Sequence, residues 1–302
     1  MLLQPLLDPA ETERPVRTPL PSGSLTSGSL TSSFLPLIER ADHRAPSVFR
    51  PENMMREARR QKGLAAGPVP RIVLLDPDGD MVDYVRAHRA ARRSTVWACY
   101  HTDMWEWEEE GLAFGIVGYA VGSSFSVLVA EQAFVCGCEL LISVASAGQI
   151  ADHAPPSYHI LIDRALRDEG TSYHYLPASP FAAADPALIA MARRAFARAD
   201  GPVLTGATWT TDAPFRETEA AIARRKAEGL LAVEMEAAAL YAFARAQGRP
   251  VLCLAHVTNQ LGCVDGDFEK GDHNGACRSI ALAAAFALAW DAGALADLPA
   301  AR

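Results

Sequence analysis

Residues 232–246 read AVEMEAAALYAFARA, and in them Glu234 and Glu236 flank Met235 at the mouth of an apolar, small-residue segment. Two positions apart on a helix, the two carboxylates would point roughly 200° from each other and could not share one face. If Glu236 instead opens the helix at a strand end, its carboxylate gains from the positive helix terminus and stays free to accept hydrogen bonds from a polar ligand. The competing reading makes both residues ordinary N-terminal helix acids. The setting argues against it, because these acids stop a buried strand, where an unpaired charge is costly.

Other chemistry-bearing residues collect where apolar runs give way to turns, at 78–80, 143–149, 211–217 and 258–259. Strands and helices must alternate to place them there. RIVLLD (71–76) reads as a strand, turned by PDGD into the helix MVDYVRAHRAARR (81–93). STVWACYH (94–101) and LAFGIVGY (112–119) read as strands around the acidic turn EWEEEG (106–111). A helix over 123–137 ends at Gly137, and a buried strand follows over 139–146. Further helices are expected over 186–199 and 236–247, with strands over 203–211, 230–235 and 251–259. Pro51 suits the first position of an earlier helix that ends near Gly63. Apolar strands bracketing helices at this spacing imply an α/β fold with a mostly buried sheet. Ligands of such folds bind beyond the carboxyl ends of the strands, where these residues lie.

No linker interrupts residues 47–296, so one domain is expected over 46–302, behind an N-terminal extension over 1–45. The repeat SGSLTSGSLTSS (22–33) has the composition of a flexible linker. A net charge of −8 argues against non-specific binding of nucleic acid. The first fifteen residues lack a basic leader, and Pro5 and Asp8 break their apolar run. The longest apolar run, 279–298, is interrupted by Asp291 and Asp297 and reads as a packed terminal helix, not a membrane span. Six scattered cysteines fit free thiols in a reducing, cytoplasmic setting. The pair Cys136 and Cys138 has no second pair at zinc-like spacing, so no metal is expected.

The segment AVEMEAAALYA resembles a signature of the purine nucleoside and uridine phosphorylase family, whose relatives include nucleosidases. GIVGYAVGSSFSVLVAEQAFVCGCELLISVASAGQI (115–150), RDEGTSYHY (167–175) and TWTTDAPFRET (209–218) are similar to other family segments in order and spacing. The resemblance runs over roughly residues 65–292. It implies a single-domain phosphorylase/hydrolase-like fold, a mixed, mostly parallel sheet flanked by helices.

The resemblance also implies roles. Glu236 would accept hydrogen bonds from both sugar hydroxyls, Met235 would pack on the sugar, and Glu234 would be a structural neighbour. Cleavage of an N-glycosidic bond passes through an oxocarbenium-like sugar, which a nearby anion stabilises. Asn259 stands where purine-cleaving relatives often carry an aspartate. An amide cannot donate a catalytic proton near pH 7, which favours a 6-oxopurine or a pyrimidine over adenine. Arg216 would reach a base carbonyl, and Ser146, Gly79 and Gly122 would shape the nucleophile pocket. The family's three phosphate-binding arginines are replaced by Asp83, by Tyr100 or His101, and by Ser143. Arg50, Arg56, Arg92 and Arg93 are the arginines available as substitutes. If water is the nucleophile instead, Asp80 or Asp78 would act as general base. The expected function is therefore phosphorolysis of a nucleoside, with phosphate as co-substrate and no cofactor. Hydrolysis by a nucleosidase is the alternative, and nucleoside binding without catalysis the third. A homo-oligomer is implied by the resemblance.

Overall fold

The all-buried run Ile72–Asp76 forms strand β1, the second element after helix α1 (Pro51–Lys62), in a computed structural model. The structure describes residues 35–38, 42–197, 199, 201–261, 263 and 265–296; the 22–33 repeat lies outside them. The chain divides into two units, 1–35 and 36–302, and the helices and strands belong to the second. Residues 42–45, expected to be part of the extension, also belong to it, and there His43 Nε2 lies 3.3 Å from the Tyr173 carbonyl.

After β1 come α2 (Asp80–His88), β2 (Arg92–Arg93), β3 (Met104–Glu109), β4 (Leu112–Gly118), α3 (Ser123–Val135) and β5 (Leu140–Gln149). The chain continues through β6 (Tyr158–Asp168), β7 (Phe181–Ala183), α4 (Pro186–Phe196), β8 (Val203–Thr211) and α5 (Glu219–Ala227). It ends with β9 (Ala232–Glu234), α6 (Ala237–Gln247), β10 (Val251–Asn259) and α7 (Ala276–Ala296).

These ten strands join one mixed sheet in the order β10-β6-β8-β9-β5-β1-β4-β3-β2, with β7 beside β6. The pairings β1–β4, β1–β5, β5–β10, β6–β8 and β8–β9 are parallel. Strand β5 is long enough to change partner. Its first half runs beside β1, while Gly148 and Gln149 pair antiparallel with β9. Because β5 also pairs with β10, the strands β5, β10, β6, β8 and β9 close into a ring. Helices α1, α3 and α6 pack in sequence, and α7 packs on α2 and α4. The segment Asp272–Gly293 is long and apolar enough to cross a membrane, but half of that apolar window is buried in the fold.

Three expectations along the chain need correction. STVWACYH is no strand: Ser94 Oγ accepts from the amides of Val96 and Trp97, a local turn that competes with strand pairing. EWEEEG is not a turn but most of β3, whose glutamates alternate with Trp105 and Trp107. The turn is the two-residue Glu110–Gly111, both at positive φ, as a tight hairpin demands. Helix α2 ends at His88, and Arg92 and Arg93 pair instead with Glu106 and Trp105. Strands β6 and β7 come without a sequence expectation.

Candidate active site

Glu234 ends β9 with its carboxylate turned inward. Its Oε1 accepts from the hydroxyls of Thr208 (3.0 Å) and Thr210 (2.5 Å) on β8. Its Oε2 accepts from the amides of Glu236 and Ala237, both at 2.7 Å. The first turn of α6 is thereby capped from within the preceding strand, a form of N-terminal capping by an acid. Thr210 Oγ1 also takes the Ala238 amide at 3.0 Å. With four donors from the fold, the Glu234 carboxylate has no oxygen left over for a ligand.

Glu236 is different. It is the N-cap residue of α6, and its backbone is non-helical. Its Oε1 accepts from the Gly122 amide at 2.7 Å and its Oε2 from the Met235 amide at 3.2 Å. Burial, then the charge of Glu234, push its carboxyl up to about 8, and Asp78 adds to the rise. Burial and the neighbouring acids thus favour the neutral form of this carboxyl.

Gly122 sits at φ +88, a backbone conformation that side-chain-bearing residues rarely adopt. A Cβ there would meet the Met235 methyl at 4.0 Å. Ser123 Oγ donates to the Met235 carbonyl at 2.8 Å, tying the start of α3 to the same turn. Gly122, Met235 and Glu236 thus form one wall, with Met235 partly exposed.

The end of β1 and the turn after it carry further expected residues. Asp76 is buried, accepts from the Val82 amide at 2.8 Å, and is pushed up to about 7 by burial and then by Asp78 and Asp80. Gly79, at φ +89, caps α2 and lies under the Tyr119 ring. Tyr119 OH donates to Asp83 at 2.8 Å. Asp78 Oδ2 accepts from the Ser146 amide at 2.7 Å. Asp80 has both oxygens engaged elsewhere, by Lys270 Nζ at 2.5 Å and Asn274 Nδ2 at 2.8 Å.

From the end of β10, Thr258 Oγ1 lies 3.0 Å from Ser146 Oγ and accepts from Asn259 Nδ2 at 3.1 Å. Asn259 Oδ1 accepts from the Leu261 amide at 2.9 Å. Arg216 stands apart, exposed in the short 3-10 turn Pro214–Arg216 beside the almost fully exposed Phe215.

A phosphorylase superfamily model matches residues 95–292, more than half of the chain. The chain belongs to the phosphorylase superfamily. Over 153 residues it is 30% identical to a DeoD-type purine nucleoside phosphorylase of Myxococcus xanthus, covering 50% of this chain and 64% of that relative. This chain therefore spans less than two thirds of that relative's length. A uridine phosphorylase of Vibrio fischeri superposes with a TM-score of 0.62 at 18% identity, over 76% of this chain and 94% of its own. A second structure of that enzyme, complexed with 6-hydroxy-1-naphthoic acid, gives 0.57 at 19% identity over 76% and 89%. These likenesses show the fold, a phosphorylase superfamily sheet flanked by helices.

Against that family pattern, the positions expected to hold arginines are occupied by other groups. Asp83 pairs with Arg86 at 3.4 Å, and Ser143 is buried inside β5. Tyr100 OH donates to Gln61. The expected substitutes are engaged elsewhere: Arg50 with the Ser47 carbonyl, Arg56 with Glu57, Arg92 with Glu106 and Arg93 with Asp103. A cation does reach the β1 turn, and it is Lys270. The sequence does not announce it, because GDFEKGDHNG (266–275) has no periodicity to anchor a position. Thr208, Thr210 and Asn274 are silent for the same reason, since a hydroxyl or amide carries no signal until the fold supplies its partner.

Proposed function

We propose that this chain cleaves the base–sugar bond of a nucleoside by phosphorolysis. The observation that carries the reading is the buried Glu236 carboxyl, held by the Gly122 amide and near enough to Asp78, the acceptor of the Ser146 amide, to feel its charge. Sugar hydroxyls donating to Glu236 would stabilise its ionised form, so that its proton is released to solvent and a carboxylate lies beneath the sugar as positive charge develops there. Met235 would supply the apolar contact for the sugar. The Asn259 amide, its oxygen committed to Leu261 and one proton of its nitrogen to Thr258, would present the second N–H to a base carbonyl or ring nitrogen. No cofactor takes part, and phosphate is the co-substrate.

One observation favours water as the nucleophile. A carboxylate, Asp78, occupies the Ser146 amide that would otherwise be free for an anion. In that reading Asp78, more directly than Asp80, is the general base, because Asp80 is held by Lys270 and Asn274. A panel of nucleosides assayed with and without phosphate tests both. Ribose 1-phosphate formed only with phosphate supports phosphorolysis. Free ribose formed without it supports hydrolysis, and tight binding with no base released would leave a nucleoside-binding protein.

Base preference gives a second test. Asn259→Asp keeps an acceptor for the Leu261 amide but adds a group that can carry a proton. Adenosine cleavage by the variant should rise at least several-fold relative to inosine cleavage, read as the ratio of kcat/KM values. An unchanged ratio in a folded variant would remove Asn259 from base selection.

A further inference from the structure

Leu261, two residues past the end of β10, has φ +63, in the left-handed region that branched side chains rarely enter. Its neighbours hold it there. Asn259 Oδ1 accepts from the Leu261 amide at 2.9 Å, and the Cys263 amide donates to the Gln260 carbonyl at 3.2 Å. The Asp267 carboxylate takes the Gln260 amide on both oxygens at 2.8 Å. Such backbone strain persists only where the surroundings over-determine it.

What the strain achieves is the placement of the leucine side chain. Leu261 is partly buried and packs against the buried cluster of Ile150, Ala207, Trp209, Leu230 and Val233. Its Cδ2 lies on the bare backbone of Gly148: a Cβ there would collide with it, and would stand 3.2 Å from both Asn259 Oδ1 and Val233 Cγ1. Gly148 is paired with both Val233 and Asn259. The ends of β5, β9 and β10 therefore meet at the spot that Leu261 covers. Val233 directly precedes Glu234, Met235 and Glu236, so this spot and the Glu236 carboxyl share one strand-end region.

We propose that Leu261 determines base specificity: it is the end wall of the base pocket and admits the single ring of a pyrimidine nucleoside in preference to a purine. This rests on the proposed function, with the sugar at Glu236 and the base at Asn259. A purine joins its sugar through the five-membered ring, and so reaches one ring further from the sugar than a pyrimidine does. With the sugar held at Glu236, that further ring needs room beside Asn259, where Leu261 stands. The wall does not yield, because Asn259 holds its backbone and the apolar cluster packs behind its side chain. Asn259 thus has two tasks, presenting an N–H to the base and positioning the wall.

Base release from uridine and from inosine, with phosphate present, tests it in the full-length wild type, Leu261→Gly, Leu261→Ala and the Gly148→Ala/Leu261→Gly double variant. Glycine accepts the positive φ at position 261, so Leu261→Gly removes the wall and keeps the turn. Wild type should favour uridine over inosine at least about tenfold in kcat/KM, the scale on which small differences in pocket volume discriminate. Leu261→Gly and Leu261→Ala should lower that ratio at least about tenfold, through a rise in inosine cleavage. In the double variant the methyl group added at position 148 refills part of the vacated space, and the ratio should move back toward wild type. A wild type without the uridine preference, an unchanged ratio in the two single variants, or a double variant no more selective than Leu261→Gly would overturn the wall while leaving nucleoside cleavage standing. A wild type that releases no base from any nucleoside would overturn both together.

Discussion

Glu236→Gln should lower nucleoside cleavage by at least about a hundredfold and, at pH 8, yield a protein more stable than the wild type. The first effect follows from the proposed function, in which Glu236 supplies the charge that meets the developing cation on the sugar; removing such a charge typically costs two to three orders of magnitude in turnover. The second follows from proton linkage. In the unfolded chain this carboxyl titrates at ~4.3, whereas in the folded protein burial and Glu234 push it up to about 8. Between those values the native state binds a proton that the unfolded state has released, so stability falls as pH rises and levels off above about 8. Asp76, pushed up to about 7, adds a slope of the same sign. Glutamine cannot ionise, and it keeps the acceptor for Gly122 at the loss of the longer bond from the Met235 amide. Thermal melts across the mildly acidic to mildly alkaline range should show a shallower decline in the variant, with the largest gain at the alkaline end. Parallel curves would mean that Glu236 is already ionised before substrate binds.

Glu234→Ala should have the opposite character, although it alters the carboxylate two residues away. Four donors lose their acceptor at once: two threonine hydroxyls and the amides of Glu236 and Ala237. The hydroxyls can turn elsewhere, but the two amides at the start of α6 have no such freedom. We expect a destabilisation of about 3–5 kcal/mol, the scale for breaking a buried charged network, and a fall in melting temperature of roughly 10 °C. Urea unfolding followed by far-ultraviolet circular dichroism measures it directly. A loss within about 0.5 kcal/mol, the range of an ordinary surface change, would contradict the capping role. Together the two variants separate the pair, one acid expected to serve the chemistry and the other the helix.

The spacing of the two acids already suggests this division, since residues two apart cannot share a helical face. It does not show which donors Glu234 takes, because Thr208 and Thr210 come from a strand two dozen residues earlier. The α/β class is legible because β1, β5 and β10 are runs of apolar residues buried on both faces. The β3–β4 hairpin is hard to place because glutamates hide a strand whose inward face is carried by tryptophan. β6 escapes notice because charged residues interrupt its second half, Arg164, Arg167 and Asp168 among them. At the site, the family likeness assigns Glu236 and Met235 to the sugar and Gly122 to the nucleophile pocket, and the structure puts Gly122 directly against Glu236 and Met235. For a base near β1 the sequence offers Asp80 as readily as Asp78, whereas the structure puts Asp78 on Ser146. Residues two apart in an irregular turn have no periodicity by which to choose between them. Lys270 needs the long return from β10 before its place can be known.

The closed ring of five strands leaves the sheet few places to grow. Its outer rim is β2, two exposed arginines, together with the part of β3 that carries Glu106, Glu108 and Glu109. The other short margin, β7, is three residues long. Charged and truncated margins resist strand-to-strand docking, which protects a sheet this large from aggregation. Among the described residues, the margins of the sheet thus favour any association through side chains on helices and loops, with each copy keeping its backbone hydrogen bonds to itself.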